Sequence, residues 1–80
     1  MYKHRPTSKW VKINQYQIAP EVELYGYTTS LEFVDEQERA STYISQERLK
    51  DDLLMATYLK EENYGKKNFL EFELIEQKND

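Results

Sequence analysis

One stretch of this chain, Gln46 to Asn63, carries apolar residues at helical spacing, while the apolar segments on either side alternate at a period of two. Leu49, Leu53, Met55, Ala56 and Leu59 fall on one broad stripe at 3.6-residue periodicity. Ser45 stands where an N-cap is needed, and Glu47 lies in the first turn, where the helix dipole favours an acid. Tyr64-Gly65 reads as a left-handed stop, followed by Lys66 and Lys67 near the last carbonyl groups. A single stripe can cover one face of one sheet. The other face must then meet water or a partner.

The sheet has to come from the alternating segments. Residues 10–18 form a strand with two admissible registers, one burying Val11 and Ile13, the other Trp10, Tyr16 and Ile18. Pro20 interrupts the ladder and restricts Ala19 to extended geometry. Glu21 to Tyr25 then alternates cleanly, with Val22 and Leu24 on one side and Glu21, Glu23 and Tyr25 on the other. Thr28-Thr29-Ser30 is a turn or a continuation; Leu31 and Phe33 resume the pattern, Asp35 to Glu38 breaks it, and Ala40, Thr42 and Ile44 suggest a returning strand. Phe69 to Ile75 closes the chain, with Leu70, Phe72 and Leu74 on one face. The expected class is α+β: a small, mostly antiparallel sheet of about four to five strands in the order β-β-β-β-α-β, with the helix over residues 46–63 on one face.

An 80-residue chain has room for one core. Residues 9–80 are expected to form it, with residues 1–8 as a flexible basic arm broken by Pro6. Lys3, Arg5, Lys9 and Lys12 stand in the first twelve positions without an acid, although the whole chain has a net charge of −4. This balance disfavours general attraction to nucleic acid or to an anionic membrane. The chain has no cysteine and no apolar run that would span a bilayer, so the expectation is a cytoplasmic protein without a membrane partner.

Signals for chemistry are few. His4 is the one histidine, and a Ser-His-Asp arrangement would need it held rigidly, whereas a terminal arm leaves it solvated. Gly26 and Gly65 belong to no phosphate-cradling loop, and Asp35 to Glu38 lacks the glycine and the spacing of a calcium loop. Glu21, Glu23, Glu71 and Glu73 read as the solvated side of amphipathic strands, because like charges opposite each other destabilise a sheet. No catalytic residue, metal ligand or cofactor is therefore expected, and the chain is read as no enzyme.

Seven tyrosines are the most unusual feature of the composition. Tyrosine combines buried area with a polar handle and is enriched at protein interfaces. Glu21, Glu23, Tyr25 and Tyr27 share the strand side that one helix leaves open. Leu54 and Tyr58, four apart on the far side of the helix, form a second docking patch or a dimer contact. The function expected is thus a small cytosolic module that binds another protein, of the regulator or inhibitor kind that phages and mobile elements encode. Lysine outnumbering arginine eight to three fits an AT-rich bacterial source. The alternative is a nucleic-acid-binding accessory protein that uses Lys3, Arg5, Lys9, Trp10 and Lys12, a mixture suited to phosphate contact and base stacking.

Overall fold

Lys9–Gln17 (β2) and Tyr27–Val34 (β3) run antiparallel, from Trp10 opposite Val34 to Gln17 opposite Tyr27. This register sends Val11, Ile13, Leu31 and Phe33 to one face and Trp10, Lys12, Asn14, Ser30 and Glu32 to the other, which decides between the two registers open to β2. The computed structural model describes residues 1–17 and 27–76. The strand expected over residues 21–25 lies outside them, as does Ile18.

The amino-terminal segment is an inner strand, not an arm. Tyr2–His4 (β1) pairs with β2, Lys3 opposite Trp10, and on its other side with Phe72–Leu74 (β4), His4 opposite Phe72. Met1, Tyr2 and His4 are each only 4% exposed. Pro6 does not prevent this, because it occupies the turn Arg5-Pro6-Thr7-Ser8, closed by the Ser8 N–H donating to the Arg5 carbonyl at 3.3 Å. Proline suits the second position of such a turn, where no N–H is required. The sheet order is β3-β2-β1-β4 and every pairing is antiparallel.

Helix α1, Gln46–Met55, packs on the inner face, where Leu49 and Leu53 join Tyr2, Val11, Ile13, Leu31, Ala56 and Phe72 in one core. Among the described residues these elements make an α+β fold, a four-stranded antiparallel sheet with one principal helix. The Ser45 hydroxyl caps α1 by accepting from the Arg48 N–H at 3.3 Å.

The helix stops eight residues before the expected Asn63. Thr57 leaves it to extend the edge of β3: the Thr57 N–H donates to the Thr29 carbonyl at 2.8 Å, and the Leu31 N–H donates to the Thr57 carbonyl at 2.9 Å. Satisfying that edge wins over about two more helical turns. Tyr58 and Glu61 then exchange two backbone hydrogen bonds of 3.0 Å around Leu59 and Lys60, whose φ values of 49° and 67° give the turn its type I′ character. Leu59 is 83% exposed there and Met55 is also exposed, so both leave the expected core stripe. A short helix, α2 (Tyr64–Lys67), follows; Gly65 lies inside it, buried, and is not a left-handed stop.

Two further expectations change for lack of pairing partners. Residues 40–44 form no strand; instead Ser41 closes the edge of β2 beyond short β1, its N–H donating to the Val11 carbonyl at 3.0 Å and its hydroxyl accepting from the Ile13 N–H at 2.7 Å. At the other end β4 is three residues long because β1 is. Phe69–Glu71 winds into a 3-10 turn, and Leu70 is left exposed.

Candidate functional site

His4, expected in solvent, is the centre of the most organised group of polar side chains. Strand alternation turns it inward with Tyr2, against Phe72 on β4 and Phe33 on β3. Its ring stacks on Phe33 with centroids 4.2 Å apart and planes 15° apart, and the Phe72 centroid is 5.2 Å away. Both ring nitrogens are engaged: Nε2 lies 3.0 Å from Glu71 Oε2 and Nδ1 lies 2.8 Å from Thr7 Oγ1. A carboxylate only accepts, so Nε2 carries the proton toward Glu71, and in the neutral ring Nδ1 accepts from the Thr7 hydroxyl.

Each partner is positioned by a different element. Glu71 ends the 3-10 turn before β4, and its Oε2 also accepts from the Tyr64 hydroxyl of α2 at 3.1 Å. The hydrogen bond with His4 holds the Glu71 carboxyl below the usual carboxylate range, and the Tyr64 bond acts in the same direction. Burial, followed by its bond to Glu71, pushes the Tyr64 phenol upward. Thr7 sits exposed in the β1–β2 turn, where its oxygen also accepts from the Lys9 N–H at 3.4 Å. Two rules of sequence reading hid this group: His4 lies in a strand too short to show a period, and Glu71 is 67 residues away in the chain.

A second buried group is structural. Asp52, on the core side of α1, accepts from Gln15 Nε2 at 3.0 Å and from the Tyr43 hydroxyl at 2.8 Å, so helix, sheet and the 41–44 segment meet on one carboxylate. Burial, together with the Asp52 hydrogen bond and charge, pushes the Tyr43 phenol up to about 12. The folded state therefore favours the protonated phenol. The contribution is fully present below the ordinary value of 10.0 and is lost as pH rises from there toward about 12. Wild-type stability in urea should fall across that window, and Tyr43→Phe should lose less over the same range. Parallel curves for the two proteins would count against the coupling.

The sequence-derived interface residues fall in several places. Glu21, Glu23 and Tyr25 lie outside the described residues, and Tyr27 opens β3 opposite Gln17. Leu54 is half-buried on α1, whereas Tyr58 lies beyond the end of the helix. The Tyr58 ring is 4.7 Å from Phe33 and 5.1 Å from Tyr64, so the two residues form no helix-surface pair. Of the basic group, Lys3, Trp10 and Lys12 share the outer sheet face, with the Lys3 ammonium 5.4 Å from the Trp10 ring centroid. Arg5 lies 3.9 Å from Glu73, and Lys9 lies 3.7 Å from Asp35.

Acids accompany the cations on that outer face. Glu32 stands opposite Lys12, accepts from Asn14 Nδ2 at 3.3 Å and lies 3.9 Å from Arg39. Among the described residues no helix is long and apolar enough to cross a membrane. Comparison with known protein families, curated proteins and solved structures finds no match.

Proposed function

We propose that the chain is a small protein-binding module that acts without turnover, through the outer face of β2 and β3. The supporting observation is the division of the sheet into two faces. The inner face is occupied by α1, while the outer face of the two long strands presents Trp10, Lys12, Asn14, Ser30 and Glu32. Of these Trp10 is of the type enriched at interface centres, and the polar side chains around it suit an interface rim. A cytoplasmic setting and a regulatory or inhibitory role of the phage type belong to the same proposal; the absence of cysteine suits the first.

A nucleic-acid partner is the second reading, and the common face of Lys3, Trp10 and Lys12 favours it. Glu32 and Glu73 work against it, because each places a carboxylate next to those cations in the sheet register. Capture of a partner by tagged chain, repeated at rising salt, separates the two. Counterion release makes phosphate-driven binding fall steeply with salt, and a protein interface anchored by aromatic rings changes little. For the captured protein, Trp10→Ala should keep the circular dichroism spectrum and weaken binding by about 2 kcal/mol or more, the loss typical of a central aromatic anchor. Undiminished binding by the folded variant would move the interface off this face.

A further inference from the structure

We propose that Thr7 is an acyl-acceptor site, its hydroxyl activated by His4 and Glu71 to attack activated esters. The geometry is that of a nucleophile, a base and a group that orients the base. Thr7 Oγ1 is 2.8 Å from His4 Nδ1, and His4 Nε2 is 3.0 Å from Glu71 Oε2. The accessibilities suit the roles. Thr7 is exposed where an ester can reach it, while His4 is buried and clamped by the stacked Phe33 ring. Glu71 is fixed in turn by the Tyr64 hydroxyl, so the imidazole keeps Nδ1 toward the threonine.

The surroundings of the hydroxyl add to this. The Lys9 N–H donates to Thr7 Oγ1, which leaves the hydroxyl proton for His4. Arg5 and Lys9 flank the turn with side chains about half exposed, and their nearest carboxylates are 3.9 Å and 3.7 Å away. Both can turn toward negative charge that develops on an attacked carbonyl oxygen.

In the step itself, Thr7 Oγ1 bonds to the carbonyl carbon as its proton passes to His4 Nδ1. The bond to the leaving oxygen then breaks, and the proton moves from Nδ1 to that oxygen. Glu71 takes no proton and acts as a positioning residue for the His4 imidazolium. One acyl group per chain results, independent of any binding partner.

The test uses the full chain and p-nitrophenyl acetate, with peptide mass spectrometry to locate the acetyl group. Thr7 should be labelled faster than the lysine side chains. Its rate should rise with pH, and Thr7→Ser should retain the label. Glu71→Gln should slow labelling of Thr7 by about 100-fold, the low end of what a positioned base contributes. Unfolding wild-type protein in urea should slow it comparably, which keeps the test valid if Glu71→Gln does not fold. Acetyl groups on lysines and the amino terminus with Thr7 unmodified would overturn the proposal. So would equal Thr7 labelling in native and unfolded protein, which would reduce the three contacts to a brace for the turn.

Discussion

A chain lacking residues 1–8 should lose cooperative unfolding altogether. β1 stands between β2 and β4, so its removal leaves β4 without a neighbour among the described strands and exposes the inner edge of β2. Met1 and Tyr2 go from 4% exposure to absence, and burial of a large apolar side chain is worth about 1.5–3 kcal/mol. Removing His4 also takes the partner of Glu71 and the ring stacked on Phe33. The total stability expected of a chain this long is only roughly 4–12 kcal/mol, so these losses together reach its scale. Thermal and urea unfolding followed by circular dichroism would check this. A truncated chain with a sharp transition close to the full-length midpoint would mean that β1 adds nothing the remaining strands cannot supply.

This strand also marks the limit of what local pattern conveys. The inward positions of Leu49, Leu53 and Ala56 were legible because a helix repeats its register over several turns, and the amphipathic strand at Leu31 and Phe33 because alternation persists there. Tyr2 and His4 offer one repeat, too little for a period, and one of the two strands β1 pairs with is at the opposite end of the chain. The end of α1 was illegible for a related reason. Met55, Leu59 and their neighbours suit a helix by spacing, but Thr57 is held by the edge of β3, and that edge enters only through tertiary pairing. The His4–Thr7–Glu71 group combines both difficulties. Its histidine is in the short strand, its threonine in a turn and its glutamate beside a strand shortened by β1. By contrast, of the five residues Lys3, Arg5, Lys9, Trp10 and Lys12 read as a group, Lys3, Trp10 and Lys12 do share a face, although as part of the sheet and not of an arm.

Gly65→Ala should cost about 3 kcal/mol or more, against the direction that helix propensity gives. Gly65 lies in α2 with an ordinary negative φ, so alanine would meet no backbone strain and would gain about 1 kcal/mol of propensity in a helix interior. Space decides the sign instead. A Cβ built at this position collides with the Leu53 carbonyl oxygen, and it would stand 2.7 Å from the carbonyl carbon and 3.3 Å from Leu53 Cγ. The obstacle is the backbone of α1, which cannot turn aside as the end of a flexible side chain could. Moving α2 away would strain the Tyr64 N–H bond to the Ala56 carbonyl, now 2.9 Å, and open the core beside Leu53, whose exposure is 0%. Overpacking commonly costs about 1–3 kcal/mol, and a contact between two backbones belongs at or beyond the upper end. Urea denaturation of Gly65→Ala beside Lys66→Ala separates this from any general effect on α2, because Lys66 is exposed and its replacement should be nearly neutral. A Gly65→Ala protein as stable as wild type would show that α1 and α2 do not approach to backbone contact, and the bend of the chain between Ala56 and Tyr64 would then need another cause.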